Sequence, residues 1–179
     1  MRLEQLADPL VLIRPADQDL DAALALRGWK LVDPVLIYAA PVAGLTADLS
    51  SLSAFPHWPP LAIAQFIWAE GGIGPARMQI MQRVSGAKAA LLARAEDRPT
   101  GVAFVACHED TAMLHALEVR AECRRKGIGS TLVHAAANWA AAQGVDWLSL
   151  AVTEQNAAAR ALYTRIGMEV VGHYHYRMK

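Results

Sequence analysis

Arg124-Arg125-Lys126-Gly127-Ile128-Gly129-Ser130 closes a run of cations on two glycines, between an apolar strand pattern and a stretch of helical periodicity. Such a junction is suited to holding a phosphate. Glycine lets backbone N–H groups approach an anion closely, the first turn of the next helix offers unpaired donors at its positive end, and the cations add countercharge. A ligand the size of a pyrophosphate fits this chemistry.

Working outward from the loop, Ile128, Leu132, Ala136, Trp139 and Ala140 recur at helical spacing until Gly144, which predicts an amphipathic helix with a glycine stop. Residues 147–152 then form an apolar run without clean alternation, the pattern of a strand in mid-sheet buried on both faces. Asn156 is placed to cap the next helix, whose Leu162 and Ile166 lie one turn apart and which Gly167 ends. Residues 168–178 read as one or two strands around Gly172. Before the loop, 112–119 is a strand, and 89–95 and 102–107 form an antiparallel hairpin across Glu96-Asp97-Arg98-Pro99-Thr100-Gly101. The order strand, strand, strand, helix, strand, helix, strand predicts a mixed α/β domain, with helices packed on a mixed sheet.

Earlier in the chain, 10–14 is a strand, 17–27 a helix ending at Gly28, and 31–40 a strand pattern that Pro34 either weakens or sends to a sheet edge. Residues 41–60 have the composition of a connector. A helix over 61–70 is broken by Gly71-Gly72-Ile73-Gly74-Pro75 before a second helix over 76–84.

Composition narrows the function. At 179 residues the chain fits one domain or a domain with a subdomain, and equal numbers of acidic and basic residues give a formal net charge of zero. Neutrality argues against nucleic acid as a partner, so the local cations serve something small. No apolar stretch approaches the length of a membrane span, and the start Met1-Arg2-Leu3-Glu4-Gln5 lacks a signal-peptide pattern, so a cytoplasmic protein is expected. Cys107 and Cys123 fit neither a disulfide framework nor metal-ligand spacing, and the histidines lack companions for a metal, so none is assigned.

Spacing separates the rival glycine-rich loops. A Walker-type loop needs lysine after its glycine, whereas Lys126 precedes Gly127; a dinucleotide fingerprint needs a small residue where Leu132 stands, and Glu154 comes late for a ribose contact. At the next strand-to-helix crossing lies Asn156-Ala157-Ala158-Ala159-Arg160-Ala161-Leu162-Tyr163, followed by Gly167. With both motifs in this order, the chain resembles the GNAT superfamily of N-acetyltransferases. The family's acyl-CoA loop, Arg/Gln-x-x-Gly-x-Gly/Ala, is matched by Arg124, Gly127 and Gly129 after a Leu-x-Val strand end at Leu117 and Val119. Its second motif, Asn, then Leu-Tyr, then Gly-Phe, is matched by Asn156, Leu162, Tyr163 and Gly167, with Met168 in place of the aromatic.

The resemblance covers 85–179 and implies a GNAT-like central mixed, mostly antiparallel sheet with helices on both faces and a V-shaped splay between two parallel strands. It makes 85–179 an acetyl-CoA-binding core and 1–84 an N-terminal region, loosely similar to a degenerate GNAT-like half, that contributes to the acceptor site. It further implies that the pyrophosphate of acetyl-CoA sits on the amides of Arg125, Lys126, Gly127, Ile128, Gly129 and Ser130, with Arg124 and its neighbours balancing charge. The pantetheine arm would run along Leu117 and Val119 and reach Asn156, and Tyr163 would protonate the leaving thiolate. A core tyrosine is the alternative reading of Tyr163. Glu118 is the candidate base; an acid in an apolar strand either faces solvent or occupies the cleft. In a regular strand His115 points to the opposite face from Glu118. Phe55, His57, Trp58 and Trp68 form either an aromatic acceptor wall or core. His173-Tyr174-His175-Tyr176-Arg177 either lines the acceptor pocket with one face or is an ordinary edge strand, and such an edge would serve a homodimer.

The expected activity is direct transfer of acetyl from acetyl-CoA to a primary amine of a small molecule or peptide. The alternative from another class is a non-catalytic acyl-CoA-binding regulatory or interaction module.

Overall fold

The computed structural model describes residues 9–179. Residues 1–8, on which the reading of the N-terminal start rests, lie outside the described residues. Eight strands form one sheet: β1 (Leu10–Ile13), β2 (Lys30–Pro41), β3 (Ala54–His57), β4 (Lys88–Ala95), β5 (Arg98–His108), β6 (Thr111–Val119), β7 (Trp147–Thr153) and β8 (Glu169–Met178). Their spatial order is β1-β8-β2-β7-β6-β5-β4-β3, antiparallel throughout except for β6 against β7. The helices are α1 (Gln18–Leu26), α2 (Val42–Leu45), α3 (Ala62–Glu70), α4 (Pro75–Arg83), α5 (Ile128–Ala142) and α6 (Ala157–Arg165). This is the mixed, mostly antiparallel α/β sheet that the sequence predicts.

Strand alternation sorts the side chains onto two faces. On one face Leu91, Val105, Leu114, Leu148 and Leu150 pack with Leu132, Val133 and Ala136 of α5, in a core that also takes Tyr38 of β2 and Tyr163 of α6. Each fully buried leucine of this kind contributes about 1.5–3 kcal/mol. On the other face Ala90, Leu92, Val102 and Phe104 pack against Ala64, Ile67 and Trp68 of α3 and Met81 of α4. Helices therefore cover both sides. Gly101 makes the approach of α5 to β5 close, since a Cβ there would stand 3.1 Å from Ile128 Cγ2 and 3.2 Å from Leu132 Cδ1.

Four sequence expectations are corrected. Pro34 does not send its strand to an edge: β2 lies between β7 and β8, and the register slips between Val32 and Val35, so the proline that cannot donate stands outside the ladder. β8 is not an edge either, because β1 pairs along it from Leu10↔Met178 to Ile13↔His175; the argument for a dimer contact there falls away. β7 is in mid-sheet but is buried on one face only, with Leu148, Leu150 and Val152 covered and Ala151 and Thr153 exposed. The connector over 41–60 contains α2 and β3, elements too short to announce themselves by periodicity. Strands from both sides of residue 84 share the sheet.

Candidate active site

The parallel strands β6 and β7 pair only from Thr111↔Trp147 to Leu114↔Leu150. Beyond that point they separate, and the cause is local. Val102 pairs with Glu118 and Phe104 with His115, so Ala116 and Leu117 together oppose Ala103 in a β-bulge. Ala116 carries it with φ +49°, a conformation costly for a residue with a Cβ. The fully buried Trp68 of α3 holds it by donating its indole N–H to the Ala116 carbonyl at 2.7 Å. Trp68 is thus core with a positioning role, and not an exposed aromatic wall.

The bulge also changes facing. Residues opposite one another across an antiparallel pair share a face, so His115 beside Phe104 and Glu118 beside Val102 lie on the same face, that of α3 and α4. The extra residue reverses the regular-strand expectation. Leu117 and Val119 pack toward the α5 core.

At the open end, a cleft of about 1000 Å³ lies between the end of β6, the loop before α5, and α6. Leu117, Glu118, Val119, Arg124, Arg125, Gly127, Ile128, Gly129, Ser130, Asn156 and Tyr163 all line it; of the site residues named from sequence, Lys126 does not. Cys123, Leu162 and Arg165 line it as well; Leu162 is the leucine of the Leu-Tyr pair, whereas no sequence signal marked Cys123 and Arg165. Gly127 is the residue before α5 and adopts φ +84°, where glycine is strain-free. The first backbone acceptance in the helix is Thr131 N–H to Gly127 O at 3.0 Å. The six preceding amides, of residues 125–130, have no acceptor among the described residues. Gly129 lets α6 close on this end, since a Cβ there would stand 3.0 Å from Leu162 Cδ2.

Arg124 turns back onto the strand end: Nε donates to the Val119 carbonyl at 3.1 Å and Nη2 pairs with Glu118 Oε1 at 3.0 Å. Glu118 therefore stands in the cleft, ion-paired and mostly shielded from solvent. Its other side touches the end of α3, where a Cβ on Gly71 would come within 2.6 Å of Glu118 Oε2. Gly71, which in the sequence reads only as a helix break, leaves room for that carboxylate. Asn156 caps α6, its Oδ1 accepting from Ala159 N–H at 3.1 Å, which leaves its amide nitrogen for other partners.

Tyr163 is 7% exposed, its ring 5.7 Å from that of Tyr38, and its hydroxyl makes no hydrogen bond among the described residues. Burial pushes its pKa up to about 12. It is at once a core residue and a wall of the cleft, so the two sequence readings are compatible. The phenol keeps its proton at neutral pH and has that proton to donate.

Residues 54–168, more than half of the chain, match the Acetyltransferase (GNAT) family. The chain belongs to the GNAT acetyltransferase family, and this makes it an acyltransferase. It is 27% identical over 169 residues to the uncharacterized N-acetyltransferase YobR of Bacillus subtilis (strain 168), which covers 89% of this chain and 68% of that protein. Among solved structures, the fold matches a GCN5-related N-acetyltransferase from Kribbella flavida with a TM-score of 0.68 at 18% identity, over 95% of this chain and 67% of that one. A GCN5-related N-acetyltransferase from Sphaerobacter thermophilus gives 0.65 at 15% identity, over 97% and 60%. No helix among the described residues is long and apolar enough to cross a membrane.

Proposed function

We propose that the protein transfers an acetyl group from acetyl-CoA directly to a primary amine of a small molecule or peptide. The observation that carries this reading is the run of six amides without acceptors, residues 125–130, at the mouth of a cleft that also contains the Tyr163 phenol. The pyrophosphate takes those amides as its donors, and the cations of Arg125 and Lys126 add countercharge. The pantetheine arm follows Leu117 and Val119, where the strand has lost its β7 partner. Asn156 supplies its amide nitrogen to the same arm.

The acceptor enters from the α3 and α4 face, where residues of the 1–84 region and of β6 meet. Glu118 takes a proton from the ammonium on Oε2, since Oε1 is held by Arg124. The amine nitrogen attacks the thioester carbon, the C–N bond forms, the C–S bond breaks, and Tyr163 protonates the departing sulfur. The amine's second proton restores the phenol, so each turnover of an ammonium acceptor yields the amide, the free thiol and one proton.

An acetyl-transfer screen across amino acids, polyamines, aminoglycosides and peptide N-termini, read by thiol release, tests the reading. Transfer to any amine supports it. Binding of CoA without transfer or hydrolysis identifies instead the non-catalytic acyl-CoA-binding module, and failure to bind CoA removes both.

A further inference from the structure

Three arginines line the cleft, and one of them is already matched. Arg124 pairs with Glu118 at 3.0 Å, and among the described residues Glu118 is the only acid in the lining, so Arg125 and Arg165 find no counter-ion there. Both are exposed, and neither has a hydrogen bond or ion pair among the described residues. In a chain of zero formal net charge, two uncompensated guanidinium groups on the walls of one cleft match a ligand with more than one anionic group.

The two stand on different walls. Arg125 belongs to the loop whose amides lack acceptors, and Arg165 to the last turn of α6. On that helix Ala158, Ala161, Leu162 and Arg165 all line the cleft, and offsets of three, four and seven residues put them on one helical face. Leu162 fixes where that face meets the loop, since a Cβ on Gly129 would stand 3.0 Å from Leu162 Cδ2. Arg165 follows Leu162 by three residues, about 4.5 Å further along the helix axis. An arginine in a last turn ordinarily serves its own helix by donating to the final carbonyls. Arg165 makes no such bond among the described residues. The other arginine of α6, Arg160, is committed, donating to the Glu154 carbonyl at 3.0 Å.

We propose that Arg165 binds the 3′-phosphate of the CoA ribose, so that the donor is a free, 3′-phosphorylated CoA thioester and not a pantetheine thioester that lacks this group. The amides of residues 125–130 take the diphosphate, with Arg125 beside it. The remaining phosphate, close to doubly charged at neutral pH, falls to Arg165 on the α6 wall. A guanidinium meets phosphate oxygens with two parallel N–H donors, a fit that an ammonium lacks. The proposal rests on the acetyl-transfer reading above and states which feature of the donor the cleft selects.

Calorimetric titration of CoA and of 3′-dephospho-CoA into the wild-type chain, Arg165→Gln and Arg125→Gln tests this. The wild type should bind CoA about tenfold or more tighter than dephospho-CoA, and Arg165→Gln should cut that ratio to about twofold or less with dephospho-CoA affinity nearly unchanged. Arg125→Gln should weaken both ligands and keep the ratio. Because Arg165 is exposed and unpaired, Arg165→Gln should melt with the wild type, and Arg165→Lys should retain part of the ratio. Equal affinity of the wild type for the two ligands, a ratio that survives Arg165→Gln, or an equal loss for both ligands in Arg165→Gln overturns this inference alone. Failure of the wild type to bind either ligand overturns the acetyl-transfer reading, and this inference with it.

Discussion

The indole N–H of Trp68 and the carbonyl of Ala116 are 2.7 Å apart, a bond across 48 positions of sequence that ties α3 to the bulge in β6. Trp68→Phe keeps most of the ring and removes the donor. The carbonyl is then left buried without its partner, which costs about 1–3 kcal/mol in urea denaturation. Turnover falls as well, because the bulge is what turns Glu118 toward α3. A variant of unchanged stability would remove Trp68 from this role.

Tyr163→Phe deletes the phenolic proton while preserving the packed ring. Turnover is expected to drop about 10²-fold or more, with acetyl-CoA affinity within a few-fold of wild type. Since burial holds the phenol up to about 12, it stays protonated well above the ordinary tyrosine range, and the pH-rate profile should show no phenol limb below pH 10. Linkage gives the same sign. A folded pKa above the unfolded value of 10.0 means stability that is intact below pH 10 and declines as pH rises toward 12.

Gly71 has φ outside the left-handed region, so its backbone accepts alanine. The added Cβ would fall 2.5 Å from Glu118 Cδ, and the flexible side chain must give way. Gly71→Ala therefore displaces the carboxylate at little cost in stability, within about 1 kcal/mol, while lowering kcat about tenfold or more. Equal kcat for wild type and variant in steady-state assays would show that the position of Glu118 is immaterial.

On the far edge of the sheet Asp21 of α1 accepts from Arg177 Nε at 2.7 Å and Nη2 at 3.0 Å, and lies 2.8 Å from His175 Nε2. Arg177 first, then His175, hold the Asp21 carboxyl well below its ordinary value of 3.8. A depressed folded pKa contributes stability above the unfolded pKa and loses it as pH falls. Asp21→Asn should thus lower the melting temperature at pH 7, and the gap to wild type should shrink steadily below pH 4. A gap independent of pH would mean that packing, not charge, is what the substitution removes.

The loop and α5 were legible because glycine and a 3.6-residue repeat act locally, and the same holds for the Asn156 cap. The bulge was not. Ala116 carries no residue signature for a positive φ, and what stabilises it is an indole supplied from another part of the chain. Pro34 misled for a related reason: an edge and a bulge satisfy the missing N–H equally well, and only the partner strands decide between them.

That β2 threads between β7 and β8 also fixes a timetable for the chain as it is synthesised. Residues 30–41 leave the ribosome more than a hundred residues ahead of both strands that flank them in the sheet, 147–153 and 169–178. Closing such distant pairings delays folding and prolongs the exposure of apolar strand, so this protein should depend on holding chaperones until residues 147–178 have emerged. Pulse-labelled nascent chains stopped before residue 147 should be protease-sensitive throughout residues 30–41.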